Sequence, residues 1–282
     1  SRLRLHAADG SMIRTVDSNP VHAIKDFRFG PFERVQIPAR DGFALEGEVI
    51  LPPDLDPSRK YPVWFKTYGG PHTSVVSDVW AGGRVGDQAL ASEGIIVFRV
   101  DPRSASGKGQ TSAFTAYKQL GVRELEDIKD ALAWLKRRPY VDGSRIGMAG
   151  HSYGGYMTAY AMTHSDVFAC GIAGAPVTDW HDYDSIYTER LMGMPQDNPE
   201  GYKKSSVVEA AKNLHGKLLI VHGEVDDNVS VRNTMRFVEE LQKANKDFEL
   251  MIYPGSRHGI MSGHYMKLQI DFIRRNLLTT PR

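Results

Sequence analysis

The stretch Gly150-His151-Ser152-Tyr153-Gly154-Gly155 constrains this chain more than any other. It reads G-x-S-x-G with a further glycine. Before it runs Arg145-Ile146-Gly147-Met148-Ala149, an apolar strand pattern, and after it Tyr156-Met157-Thr158-Ala159-Tyr160-Ala161-Met162, a helical one. Strand, sharp turn and helix in that order form a nucleophile elbow, which lifts a serine hydroxyl to the tip of a sheet. Glycines on either side let the two backbones crowd around a turn that side chains would block. A glycine-rich turn with a chance serine would account for the motif but not for its flanks.

The chain around the elbow has two textures. In residues 1–33, Leu3 and Leu5 alternate with Arg2 and Arg4, Asp9-Gly10 marks a tight turn, and Met12-Ile13-Arg14-Thr15-Val16 reads as a returning strand, so a small hairpin is expected. A lone hairpin is marginally stable in water; it should pack on the main domain or belong to a sheet outside this chain. The chain opens at Ser1 as if in mid-strand, with no initiating methionine or signal peptide, and is expected to be a piece of something longer.

Residues 34–282 alternate strands with helices. Arg34 to Ile37 and Phe43 to Ile50 flank Asp41-Gly42 as an antiparallel pair; apolar strands follow at Tyr61 to Tyr68, Gly94 to Val100, Val167 to Ala173, Leu218 to Val221 and Phe248 to Ile252. Val122, Leu125, Ile128, Leu132 and Leu135 recur at helical steps. Glu124, Glu126 and Asp127 at one end and Lys136, Arg137 and Arg138 at the other match the helix dipole, and Pro139 is the stop. A helix is expected from Val231 to Leu241, and Met261, Tyr265, Leu268 and Phe272 mark a closing one. This alternation implies one α/β domain of the α/β-hydrolase kind, a mainly parallel twisted sheet with helices on both faces.

Composition excludes several classes of function. A formal net charge of +1 gives no ground for nucleic acid or an anionic membrane surface as partner, and no apolar run is long enough to span a bilayer. A soluble protein is expected, with the compartment, cytoplasmic or periplasmic and secreted, left open. Cys170 is the one cysteine, so no intrachain disulfide can form, and its apolar surroundings suggest a small buried hydrophobe. No histidine pair has clear metal-ligand spacing, and neither metal nor cofactor is expected.

A serine hydroxyl is a weak nucleophile near neutral pH and needs a base, which in turn needs an orienting carboxylate. In this fold they follow in the order Ser, Asp or Glu, His, each past a later strand. Val221-His222-Gly223-Glu224-Val225-Asp226-Asp227-Asn228 presents acids, and Tyr253-Pro254-Gly255-Ser256-Arg257-His258-Gly259 presents a histidine. Ser152 is therefore assigned as nucleophile, Asp226 as orienting acid and His258 as base, with Glu224 and Asp227 as competing acids. His222 and His151 read as packed or hydrogen-bonded neighbours. The backbone N–H of Tyr153 is one expected oxyanion donor, and the loop Tyr68-Gly69-Gly70-Pro71 offers the Tyr68 hydroxyl as the other.

These residues resemble the catalytic domain of the prolyl oligopeptidase family, in particular its dipeptidyl peptidase IV branch. The likeness runs from about Tyr61 to the C-terminus. It rests on Tyr68-Gly69-Gly70-Pro71, Asp101-Pro102-Arg103-Ser104, the elbow, Ala175-Pro176-Val177-Thr178-Asp179-Trp180, Tyr183 to Arg190, His222-Gly223 through Val229, and His258-Gly259. The resemblance implies the same triad with Asp226 as its acid, and Tyr68 as oxyanion donor. It further implies a pocket for the residue before the scissile bond built from Tyr153, Val177, Trp180, Tyr183, Tyr187 and Val229, with Asn228 bonding a substrate carbonyl. A flat aromatic box suits proline, whose ring offers area to bury and no N–H to satisfy.

The implied activity is peptide hydrolysis after proline or alanine through an acyl-enzyme; a serine esterase and a catalytically silent binding fragment are the alternatives. The family carries a β-propeller before this domain, and in the dipeptidyl branch paired glutamates there bind the substrate's amino end. Residues 1–33 correspond to at most a last propeller hairpin or linker, so dipeptide release does not carry over. The implied partners are a peptide substrate, the propeller and, through a face the propeller would cover, a second copy as homodimer.

Overall fold

The computed structural model describes residues 2–18, 26–78 and 84–278. In chain order come β1 (Leu3–His6), β2 (Met12–Asp17), β3 (Phe32–Pro38), β4 (Ala44–Ile50), β5 (Tyr61–Lys66), α1 (Val85–Ser92), β6 (Ile96–Asp101), α2 (Gln110–Ala113), α3 (Val122–Leu135), β7 (Val141–His151), α4 (Tyr153–His164), β8 (Cys170–Gly174), α5 (Ser185–Met192), α6 (Pro199–Ser205), β9 (Lys217–Gly223), α7 (Arg232–Lys243), β10 (Glu249–Tyr253) and α8 (Gly263–Ile273). β3 to β10 form one sheet in the order β10-β9-β8-β7-β5-β6-β4-β3, while β1 and β2 pair antiparallel in a sheet of their own. β3 and β4 run antiparallel to their neighbours and β5 through β10 run parallel, which is the α/β-hydrolase arrangement.

Period-two alternation divides the strands between two buried layers. Val63 and Phe65 of β5, Ile96 and Phe98 of β6, and Leu218 and Ile220 of β9 face one core with α3 and α4. Trp64, Val97, Leu219 and Val221 face the other, closed by Leu90 of α1 and Phe272 of α8. Helices on both faces cover the parallel strands, whose central residues are apolar where neither face meets water. Cys170 is buried in this second core as a free thiol, and burial pushes its pKa up to about 12.

Two expectations are corrected. α3 ends at Leu135, so Lys136, Arg137 and Arg138 follow the helix instead of forming its last turn. At its other end Glu124 and Asp127 are fully buried, Asp127 against Arg103 at 2.8 Å. Met261 precedes α8 and is 99% exposed, since Ser262 caps that helix by accepting the N–H of His264. The hairpin is present, and every residue of β1 and β2 is exposed.

Candidate active site

β7 delivers Ser152 to the C-terminal edge of the sheet, and α4 begins at the next residue. Ser152 sits at φ 59 and ψ −121, a conformation rare outside glycine, and its N–H is held by the Gly174 carbonyl at 2.8 Å. The strain persists because the neighbouring glycines let backbones touch. A Cβ on Gly150 would run into Gly154, one on Gly155 into the Gly174 carbonyl, and one on Gly154 would lie 2.7 Å from the Thr67 carbonyl oxygen. Tyr153 opens α4, where a backbone N–H has no intrahelical acceptor and remains available to a ligand.

The turns after β9 and β10 bring Asp226 to His258, whose Nδ1 lies 2.8 Å from Oδ2. The other carboxylate oxygen accepts the N–H groups of Asn228 and Val229, each at 2.9 Å. Burial raises the Asp226 pKa, but the His258 bond and these two amides outweigh it and hold the carboxyl below its ordinary range. The competing acids are engaged elsewhere: Asp227 pairs with Arg257 at 2.8 Å in solvent, and Glu224 accepts the Gly255 N–H at 3.3 Å.

His222 lies buried behind Asp226. Its Nε2 is 2.8 Å from the Val229 carbonyl and 3.2 Å from Asp226, its Nδ1 2.7 Å from the Thr234 hydroxyl, and burial pulls its pKa down. The His151 ring packs on that of His258 with centroids 4.9 Å apart. Among the described residues, no hydrogen bond of 3.5 Å or less joins Ser152 Oγ to His258. Such contacts tighten on forming the substrate complex.

A pocket opens beside Ser152, lined by Tyr68, Tyr153, Val177, Trp180, Tyr183 and Tyr187. Its rings support one another: Tyr153 lies 5.9 Å from Tyr68 and 5.6 Å from Trp180, and Trp180 stacks on Tyr187 at 6.0 Å. The Tyr183 hydroxyl donates to Asn228 Oδ1 at 2.8 Å, which leaves the Asn228 amide N–H groups to donate elsewhere. Val229 is buried in the same core. Burial raises the Tyr68 pKa, with the Ser152 hydroxyl beside it pulling the other way, so the phenol keeps its proton across the neutral range and stays a donor. The loop beyond Tyr68 is tied to Asp101, which accepts the N–H groups of Val75 and Val76 at 2.9 Å.

Tyr68, Tyr153, Val177, Trp180, Tyr183 and Tyr187 thus share one pocket with Ser152, and Asn228 links that pocket to Asp226 through its bonds with Tyr183 and the Asp226 carboxylate. Sequence reasoning missed Glu124. It is fully buried, and its Oε1 accepts the Tyr153 hydroxyl at 2.7 Å.

The fold, the strained serine turn, and the acid and histidine after β9 and β10 define an α/β-hydrolase with a serine-centred site. A family profile, the prolyl oligopeptidase family, matches residues 85–278, and the chain belongs to that family. The chain is 40% identical to prolyl endopeptidase FAP of Mus musculus over 226 residues, 79% of this chain and 30% of that protein. It is 33% identical to dipeptidyl peptidase 8 of Mus musculus over 294 residues, 96% of this chain and 33% of that protein. The solved structure of Porphyromonas gingivalis dipeptidyl peptidase 4 superimposes with a TM-score of 0.91 at 38% identity, covering 98% of this chain and 40% of that one. The chain therefore spans well under half the length of these relatives. Among the described residues, no helix is long and apolar enough to cross a membrane.

Proposed function

We propose that this chain is the catalytic domain of a serine peptidase that cleaves after proline, or alanine, through an acyl-enzyme. Ser152 Oγ attacks the scissile carbonyl while His258 takes its proton, and Asp226 keeps the imidazole in the tautomer that can do so. The oxyanion accepts hydrogen bonds from the Tyr153 N–H and the Tyr68 hydroxyl. His258 then protonates the leaving amine, and water, deprotonated by the same ring, releases the acyl group. Val177, Trp180, Tyr183, Tyr187 and Val229, with the Tyr153 ring, hold the residue before the cut, and Asn228 donates to a substrate carbonyl.

One observation carries the specificity: the pocket that opens directly beside Ser152 is walled by aromatic rings. Such walls suit a flat, donor-less pyrrolidine better than a flexible or charged side chain. The names of the relatives support the same reading.

Residues 1–33 we assign to the end of an upstream β-propeller, and residues 34–282 to the catalytic domain. Leu3, Leu5, Met12, Ile13 and Val16 of the hairpin are exposed, as they would be if a propeller sheet were their natural cover.

The test compares an Xaa-Pro-anilide with a simple p-nitrophenyl ester on the full-length protein. The anilide is expected to turn over and to lose turnover in Ser152→Ala. Hydrolysis of the ester alone would make the protein an esterase.

A further inference from the structure

We propose that Glu124 is the positioning residue of the proline pocket: its buried carboxylate grips the tip of Tyr153, and through that ring sets both the pocket wall and the alignment of the oxyanion side. The inference rests on the pocket and donor roles proposed above for Tyr153.

Glu124 is in the first turn of α3, where an acid favours the helix dipole. An exposed glutamate would give that benefit at no desolvation cost, so the dipole does not explain why this one is 0% exposed. Among the described residues, the one side chain that hydrogen-bonds it is Tyr153, whose hydroxyl donates to Oε1 at 2.7 Å, and Oε2 has no partner. A buried carboxylate left half satisfied is destabilising, and it is retained here where its side-chain bond reaches the reaction centre.

Tyr153 is the residue through which such a bond acts most widely. Its N–H begins α4, its ring lines the pocket, and it touches Tyr68 on one side and Trp180 on the other. The hydroxyl is the far end of the ring. Holding it fixes both side-chain torsions, as no contact nearer the backbone could.

The surroundings keep the carboxylate dependent on this bond. Burial pushes Glu124 up to about 7, while the Tyr153 hydroxyl and, less strongly, the backbone N–H groups of Glu124 and Gly121 pull the other way. Tyr156 and Tyr160 of α4 and Tyr187 of α5 also face it, and each is driven above its ordinary pKa, chiefly by burial. Asp127, one turn along α3, is neutralised by Arg103. The phenols are thus neutral wherever Glu124 changes charge, and the bond from Tyr153 is the fixed point of the cluster.

The test is a double-mutant cycle in the full-length protein, read as the ratio of kcat/KM for Xaa-Pro-anilide to that for Xaa-Ala-anilide. Glu124→Leu leaves the Tyr153 hydroxyl unpartnered, and the ratio is expected to fall about tenfold or more, mostly through KM for the proline substrate. Glu124→Gln keeps an acceptor and restores most of the ratio. Tyr153→Phe alone lowers the ratio similarly, and Glu124→Leu added to it lowers it little further, because both act through one bond.

A role for Glu124 only in capping α3 predicts instead that the losses multiply, or that both substrates fall alike; either result overturns the proposal. Where Glu124→Leu does not fold, Tyr153→Phe, which removes the same bond from its other end, must itself lower the ratio about tenfold, and an unchanged ratio overturns the proposal. A wild type that neither cleaves Xaa-Pro-anilide nor binds an aminoacyl-pyrrolidide would sink the proposed function. A wild type that does both, with an unchanged ratio in Glu124→Leu, would sink this inference alone.

Discussion

The two halves of the site are built differently. Ser152, Tyr153 and the pocket behind them belong to a strand, a turn and a helix in which residues 153–163 are all buried and glycine backbones meet at van der Waals limits. His258 sits on a turn after β10 whose residues are exposed or half-buried. A Cβ on Gly255 or Gly259 there would meet nothing and the Arg257 side chain reaches the solvent-exposed Asp227, although the backbone of Ser256 and Arg257 rests on Gly223. The proposed nucleophile, oxyanion donors and specificity pocket are thus locked by packing. The proposed base is held by its bond to Asp226, itself fixed by two backbone amides, and by the His151 ring packed against it. Groups that must match a developing charge gain from rigidity, whereas a base that serves two proton transfers needs orientation more than immobility.

The strongest way to break this comparison is at the hydrogen-bonded tether of the open half. Asp226→Asn is expected to lower kcat by about ten-thousandfold with little change in fold, as wrong-tautomer variants of such triads do. A loss under tenfold in steady-state anilide assays would mean that other contacts orient His258. In the locked half, Tyr68→Phe removes one oxyanion donor and is expected to cost about 100- to 1,000-fold in kcat with KM nearly unchanged. A change in KM alone would make Tyr68 a pocket wall and not a donor.

Paired glycine variants sharpen the contrast on stability. Gly155→Ala forces a methyl against the Gly174 carbonyl and should cost about 1–3 kcal/mol or prevent folding, while Gly259→Ala should stay within about 0.5 kcal/mol, both read by chemical denaturation. Equal losses would remove the distinction between the halves.

Much of this site was legible before any coordinates. The elbow, Asp226 and His258 are local signals, each a turn at the end of an apolar strand, and the order of the three follows from the topology. Glu124 was not legible. The spacing Val122, Leu125, Ile128 places Glu124 beside an apolar stripe, and its charge suits a helix start, so the local pattern is satisfied by a solvated acid. What buries it is α4, which packs against α3 and supplies the hydroxyl of a tyrosine 29 positions on in sequence. The same holds for Asp127, whose partner Arg103 comes from the turn after β6. Met261 carried helical spacing, but the cap at Ser262 starts the helix after it.

The smallest effect expected is a slope with pH. Burial raises Glu124 to about 7 from an ordinary 4.5, so the folded protein holds a proton that the unfolded chain releases. Its contribution to stability is therefore present below about pH 4.5 and is lost as pH rises through about 7. Glu124→Gln removes that term, and the difference in Tm between variant and wild type should drift in favour of the variant by a few degrees between those limits. A flat difference would place the carboxyl in contact with water.

The central claim is that Ser152 is the nucleophile and that His258 makes it one. Labelling the full-length protein with a fluorophosphonate, followed by peptide mapping, tests it most directly. The expected result is one adduct on Ser152, formed rapidly in the wild type and suppressed by orders of magnitude in His258→Ala with the fold intact. An adduct on another residue, or labelling of Ser152 that is indifferent to His258, would contradict it.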